Sequence, residues 1–518
     1  MKYFNIAGPC NGKKHYMIDA ATRLHGVEQL IDEKQYFVIH AARQSGKTTY
    51  LYDLTERINA AGKYYALYCS LEGAQGTVEP EKGIPAVISC IKDSLSYTDI
   101  PHADMFAKTS DLNDYISVLK ASISSFCTLL DRPLVIFFDE ADCLSEGTLI
   151  AFLRQLREGY NRQDYRAFVH SIALVGMRNI RDYKARVRPE SDSLGSASPF
   201  NIVTETFTLK NFTREEIAQL YRQHTDETGQ VFEEDAVNLV WEQTQGQPWL
   251  VNAVAREAIV KLLQSDSSKP VTSALIGQAI QNIILSRPTH IDNLLERLKE
   301  ERVRRIIEPV ILGKEYISRE SDDFLYVKDM GMVRVVDSRV QPANPIYAEA
   351  IIRKLSADSQ DDLLDPKYPY RMPRYLKGGV IDMDYLVGDF QQFWRENSDI
   401  WIKRFEYHEA APHLVMMAFL QRVVNGGGQI IREMASGTGR LDLCLIYENR
   451  KYPVELKIRY GDESVDEGIE QIMRYMGIYG CSEGWLLIFD RRSTVGWDDK
   501  IYTVKKKING KTVTVVGL

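Results

Sequence analysis

Short apolar runs recur through the first half of the chain, separated by stretches of helical periodicity. Residues 36–40 ("YFVIH"), 63–71 ("KYYALYCSL"), 134–138 ("LVIFF"), 171–179 ("SIALVGMRN") and 205–209 ("ETFTL") each predict a strand. Most lack polar/apolar alternation, so they predict strands covered on both faces. That is the signature of a parallel sheet with helices on either side, an α/β fold.

Beyond residue 210 the pattern changes twice. Residues 212–259 read as a small helical lid, with Thr213 as N-cap and Glu216 three positions on. Residues 294–312 and 319–329 read as helices, followed by a hairpin and a closing helix at 345–355, an order that predicts a winged-helix-like unit. The stretch 356–379 is acidic and then rich in proline and tyrosine, the composition of a linker. Helical patterns return at 385–397 and 407–425, and "GGG" closes them at 426–428. Residues 439–461 then read as two strands joined by a polar turn at 448–451. A helix at 466–480 and a later sheet strand at 485–492 follow. The resulting division is 1–210 for the sheet core and its leader, 211–290 for the lid, 291–355 for the winged-helix-like unit, 356–380 for the linker and 381–518 for a second α/β domain.

Composition changes little in this picture. The 518 residues are 44% hydrophobic and 26% charged, enough for several cores. A net charge of −7 gives no global attraction to nucleic acid, although a local basic patch remains compatible with it. The seven cysteines include no CxxC pair, so neither a zinc knuckle nor a disulfide framework is suggested. The N-terminus has no signal-peptide pattern and no run reaches membrane-spanning length, so a cytoplasmic protein with no membrane partner is expected.

Two places carry chemistry. After the 36–40 strand stand Ala41, Ala42, Arg43, Gln44, Ser45, Gly46, Lys47, Thr48 and Thr49. From Ala41 to Thr48 they fit G-x-x-x-x-G-K-[ST] except that Ala41 replaces the first glycine. A strand, a tight loop and a helix start converge backbone N–H groups on phosphate oxygens. Lys47 would reach the β- and γ-phosphates and Thr48 would hold Mg²⁺. Alanine at 41 suffices provided its φ stays negative. The 134–138 run ends in Asp139-Glu140, the first for Mg²⁺ and the second to polarise an attacking water. The long stretch between Lys47 and Asp139 leaves room for an added strand between the two.

In the second half, period-two alternation puts Val454, Leu456 and Ile458 on one face of a strand and Glu455 and Lys457 on the other. If Tyr447 pairs with Tyr452, Asp442 lies opposite Lys457 and Cys444 opposite Glu455, so Asp442, Glu455 and Lys457 share a face. A two-residue slip would preserve this and a one-residue slip would not. Buried carboxylates beside a lysine need partners or a metal. Gln471 and Tyr475 sit four apart on one face of the next helix.

The first constellation resembles P-loop ATPases with a catalytic glutamate, the AAA+ and STAND group. That resemblance implies ATP as ligand, a sensor at Arg178 or Asn179, and adenine contacts at Gly246 and Pro248 of "GQPWLVN" (246–252). It also implies base contacts from His15 and Tyr16 of the leader, although those two fit a packing role as well. The second resembles the PD-(D/E)XK nuclease superfamily, with Leu441-Asp442 in place of the usual proline-aspartate pair; its Gln-x-x-x-Tyr helix is similar to the RecB-like branch. Asp442 and Glu455 then imply metal ligands and Lys457 the group that positions water. Glu409 is implied as a further metal ligand, with Glu433 as the alternative. The whole chain resembles bacterial AAA-like ATP-binding proteins with a C-terminal nuclease-like domain, with "SPFNI" (198–202) and "ANPIY" (343–347) as further points of likeness. This implies ATP, Mg²⁺, DNA and a homo-oligomer as partners, in phage-defence or mobile-element settings. Three functions stay open: an ATP-regulated nuclease, a nucleotide switch whose nuclease-like domain only binds, and a translocating motor.

Overall fold

A computed structural model describes residues 2–19, 23–108, 114–177, 203–311, 319–362, 375–404, 412, 415–417, 419–420, 429–436, 439–459, 465–492 and 495–518. The sensor positions Arg178 and Asn179, the "SPFNI" segment and Glu409 lie outside them. The chain forms two compact units, Met1–Leu294 with Ile317–Tyr347, and Leu295–Tyr316 with Ala348–Leu518. The 291–355 stretch is thus divided between them.

In the first unit, β1 (Tyr36–His40), β2 (Tyr65–Ser70), β3 (Leu134–Asp139), β4 (Ser171–Gly176) and β5 (Val203–Thr208) form one parallel sheet in the order β2-β3-β4-β1-β5. Alternation along β1 supplies both cores. Tyr36 and Val38 join the layer built with the helices Pro80–Ser96, Val118–Cys127 and Glu146–Tyr160, while Phe37 and Ile39 join the layer under the helix Lys47–Ala61. A strand does separate β1 from β3, but it is β4, which follows both in the chain. β2, the strand contributed by the stretch between Lys47 and Asp139, takes the sheet edge instead.

The expected lid is helical, with the helices Arg214–Thr228, Glu234–Thr244, Pro248–Arg256 and Ser273–Ser286. Thr213 and Glu216 form the reciprocal capping box read from the sequence. The same unit contains the helix Asp322–Asp329 and the hairpin of β6 (Val333–Val336) and β7 (Arg339–Pro342).

The second unit contains the helix Glu301–Ile311 and the two-residue strands β8 (Leu376–Lys377) and β9 (Val380–Ile381), which form a small ladder. Its main sheet is mixed: β10 (Gln429–Ser436), β11 (Gly439–Tyr447), β12 (Arg450–Arg459), β13 (Glu483–Asp490), β14 (Tyr502–Ile508) and β15 (Lys511–Gly517), in the order β10-β11-β12-β13-β15-β14. β10, β14 and β15 go beyond the strands expected from pattern. The helix Val465–Tyr479 covers one face through Ile469, Ile472, Tyr475 and Met476. The helix Met383–Arg404 covers the other, where Phe390 and Trp394 meet Phe489.

One expectation needs correction. β11 and β12 pair Tyr447 with Arg450 and Leu443 with Val454, two residues away from the expected register. The turn is Glu448-Asn449 alone, with φ of 45° and 62°. Positive φ at both central residues is the type I′ geometry, whose twist matches that of the strands, and this tighter turn displaces the four-residue one. Asp442 therefore faces Glu455 rather than Lys457. The slip is an even number, so all three side chains keep their common face.

Candidate functional site

Two clusters of polar side chains stand out, one in each unit. In the first, β1 runs into the loop Ala41–Gly46 and then into the helix Lys47–Ala61. The left-handed positions of the loop are Gln44 (φ 56°) and Gly46 (φ 93°), and Ala41 is not among them. Alanine is accommodated there for that reason. Lys47 is buried, and its Nζ donates to the carbonyls of Ala41 (2.7 Å) and Ala42 (3.0 Å). Burial pushes its ammonium below the usual lysine value, while Glu140 and Asp139 oppose that shift. Ser45 Oγ donates to the carbonyl of Ala42 at 2.8 Å. Arg43 and Gln44 are exposed.

The end of β3 lies across β4 from this loop. Asp139 Oδ2 accepts the Thr48 hydroxyl at 2.7 Å and the Tyr68 hydroxyl at 3.1 Å, while its Oδ1 accepts the Glu140 N–H at 2.9 Å. Glu140 adopts φ 54°, which turns the chain sharply after the strand. Burial raises its carboxyl above the usual value, Asp142 adds to the shift, and Lys47 works against it. Asp142 in turn accepts the Met177 N–H at 3.0 Å. The structure thus brings Lys47, Thr48, Asp139 and Glu140 together, as their spacing suggests. A hydroxyl and a carboxylate beside each other form a hard-oxygen donor set that fits Mg²⁺.

Further residues at this end carry no local signal. Arg23 is buried and donates to the carbonyls of Ser45 (2.9 Å) and Lys210, fastening the loop to the segment after β5. Gly331 has φ 74°, and a Cβ there would come within 2.5 Å of Ala42 Cβ. His40, at the end of β1, is pushed down to about 4, first by burial and then by Lys47. Tyr68 belongs to the sheet edge, yet its hydroxyl shares an oxygen with Thr48. Tyr68→Phe keeps the ring contact with Tyr52 (4.4 Å) and removes only the hydroxyl. It is expected to raise the Mg²⁺ concentration needed for half-maximal nucleotide binding several-fold, read by fluorescence of a labelled nucleotide across a Mg²⁺ titration.

The leader and lid residues sit as follows. Cys10 N–H donates to Thr49 Oγ1 at 3.0 Å, bringing the leader to the helix that starts at Lys47. His15 is buried, with Nδ1 accepting the Asn11 N–H at 2.9 Å and its ring edge-on to Tyr3. Tyr16 is also buried; its ring packs on Phe4 and His224 and its hydroxyl donates to Glu227 at 2.9 Å. This is a packing position on the lid helix rather than an open stacking surface. Pro248 begins its helix, and Gln247 before it caps Leu250 N–H and reaches the Gln44 carbonyl at 3.4 Å. Gly246 has φ 71°, and a Cβ on it would lie 1.9 Å from the Phe212 carbonyl oxygen. Gly246→Ala is expected to destabilise the protein by about 3 kcal/mol or more, from strain and backbone displacement together, visible as a lowered melting temperature.

The second cluster lies on the face of β11 and β12 under the helix Val465–Tyr479. Glu455 is fully buried, and neither of its carboxylate oxygens accepts a hydrogen bond. Lys457 Nζ stands 3.6 Å from Glu455 Oε1 and donates to Gln471 Oε1 at 2.8 Å. Asp442 Oδ2 accepts the Leu456 N–H at 2.9 Å, across the strand pair from Glu455. Tyr475 is buried, and the charges of Glu455 and Asp442 help burial to raise its hydroxyl. All five residues read from the sequence come together here. A buried carboxylate without a donor is the environment a cation would relieve, so Asp442 and Glu455 fit a divalent metal. Among the described residues, no group of three or more histidine, cysteine and acidic side chains is placed to hold one. Glu433 falls on β10; Glu409 lies outside the described residues.

Burial first, and Asp442 second, raise the Glu455 carboxyl from 4.5 to about 8. The folded state therefore holds a proton that the unfolded chain releases near 4.5. Stability from this group is present below that value and is lost as pH rises towards about 8. In chelating buffer, Glu455→Gln is expected to melt above the wild type at pH 8 and to lose that advantage towards pH 4.5.

No helix among the described residues is long and apolar enough to cross a membrane. A family profile described as an AAA-like domain matches residues 12–351, more than half of the chain. None of the curated proteins matches it. Solved structures with a similar backbone include the Walker-type ATPase of Pyrococcus abyssi (14% identity, TM-score 0.46, covering 67% of this chain and 99% of that one). They include the ORC2 protein of Aeropyrum pernix (12%, 0.37, 66% and 92%) and the RuvB Holliday junction branch migration motor of Thermotoga maritima (11%, 0.32, 62% and 89%).

Proposed function

The chain belongs to the AAA-like domain family, and from that premise we propose an ATP-hydrolysing protein whose second unit is a PD-(D/E)XK-type, metal-dependent nuclease acting on DNA. In the first unit the N–H groups of Ala42–Thr49 and the Lys47 ammonium bind the phosphates. Thr48 and Asp139 would hold the Mg²⁺ ion, with the Tyr68 hydroxyl keeping Asp139 turned towards Thr48. Glu140 accepts the proton of the attacking water; its raised carboxyl suits that task. Pro248, His15 and Tyr16 belong to the surroundings of the base, Tyr16 by packing the leader onto the lid.

In the second unit Asp442 and Glu455 would hold the metal. Lys457, oriented by Gln471, positions the water that attacks the phosphodiester, and Tyr475 closes the site from the helix side. A bound Mg²⁺ would supply charge neutralisation at phosphate oxygens in either site. The observation that carries the nuclease reading is the buried, hydrogen-bond-free Glu455 carboxylate between Asp442 and Lys457. The test is cleavage of plasmid and linear DNA by the full chain with Mg²⁺ or Mn²⁺, with and without ATP. Absence of cleavage under all of these conditions overturns it.

A second reading, a nucleotide switch whose nuclease-like unit binds without cutting, is favoured by the presence of only two carboxylates in the described cluster. Under that reading Asp442→Asn leaves Mn²⁺ affinity unchanged in calorimetry; under the nuclease reading it abolishes it.

A further inference from the structure

The last hairpin of the second unit carries charge that neither site uses. Residues 500–511 contain Lys500, Lys505, Lys506, Lys507 and Lys511 and no acidic residue, in a chain of net charge −7. Among the described residues β14 is an edge strand, paired with β15 alone, and residues 503–507 are exposed. Three of the lysines have structural work. Lys505 is ion-paired with Asp384 and feels Glu483 and Asp382. Lys500 lies over the Trp497 ring. Lys511 lies against Gly477, near the C-terminal end of its helix, where a cation is favoured. Lys506 and Lys507 form no ion pair among the described residues.

The ladder fixes where they stand. Glu455 pairs with Leu486, Leu486 with Val515 and Val515 with Val504, so one row of side chains runs across β12, β13, β15 and β14 on a single face. Lys506, two residues beyond Val504, lies on that same face. Three strand spacings and two residues along the strand put it about 16 Å from Glu455. Lys507 projects from the opposite face, so the edge is cationic on both sides.

We propose that β14, through Lys506 and Lys507, is a docking surface for the phosphate backbone of duplex DNA, holding the duplex beside Asp442 and Glu455. The inference rests on the reading of this unit as one that acts on DNA. Its competitor is an edge strand protected from pairing with other chains by charge.

The experiment measures binding of labelled duplex DNA, and in parallel of a labelled RNA duplex, to the full chain by fluorescence anisotropy in EDTA, so that no cleavage occurs. Wild type, Lys506→Gln/Lys507→Gln and the control Lys92→Gln are compared across a salt series. The proposal expects the double variant to bind several-fold more weakly whatever the DNA sequence, and its slope of log affinity against log salt to fall by about 2. The control is expected to match the wild type, and all three to share one melting temperature. Unchanged affinity and slope overturn the proposal, as does self-association of the double variant with DNA binding intact. A loss confined to RNA duplexes overturns the choice of DNA. A wild type that binds no DNA at all removes the underlying reading instead, whatever the variants do.

Discussion

Lys457→Ala is expected to reduce metal-dependent DNA cleavage about 10²–10⁴-fold while leaving ATP hydrolysis unchanged. Among the described residues the lysine is the one cation in contact with Glu455, at 3.6 Å, and Gln471 holds it from the other side at 2.8 Å. Without it Glu455 stays buried beside Asp442 and loses its own cation, so the variant loses the group that positions water and raises the cost of ionising Glu455. Lys457→Met separates the two effects, since it keeps the aliphatic stem that packs near Gly468 and removes only the charge. Cleavage is read on supercoiled plasmid, ATP hydrolysis by phosphate release, and folding by the melting curve. Full cleavage by a folded Lys457→Met variant would remove the nuclease assignment.

Lys47→Ala and Glu140→Gln are expected to part company. The first removes the ammonium that the loop holds at the carbonyls of Ala41 and Ala42, and nucleotide binding should fall with it. The second leaves the phosphate cradle intact and removes the proton acceptor, so nucleotide still binds while hydrolysis drops about 10²-fold or more. A labelled ATP analogue measures the first property and phosphate release the second. Equal loss of binding in both variants would assign Glu140 to the fold of the turn rather than to the reaction. Running the plasmid assay on the same two proteins shows whether bound nucleotide or its hydrolysis governs cleavage.

Much of both clusters was legible because their signals are local. A strand, a loop and a helix start stand next to each other from Tyr36 to Thr49, and Asp139-Glu140 closes an apolar run. Asp442, Glu455 and Lys457 survived a wrong register because period two tolerates an even slip. What failed depends on turn geometry or on distant segments. Two positive φ angles at Glu448 and Asn449 set the register, and neither residue is glycine. The position of β4 between β1 and β3 is a choice among strands of similar composition. Tyr68, Arg23 and Gly331 reach the first site from elsewhere in the chain, so no local pattern announces them. β14 carries three consecutive lysines, Lys505–Lys507, which break the period-two alternation that marks a strand.

The place of β4 bears on how the protein is made. Among the described residues β1 pairs only with 172–176 and 203–208, and the loop and Asp139 approach each other across β4. A growing chain that has emerged from the ribosome only as far as Asp139 holds the loop, Lys47, Thr48 and Asp139 but lacks the strand that aligns them. Nucleotide can therefore stabilise the nascent protein only after β4 has emerged, and stalling before that point leaves the edges of β1 and β3 open to other chains.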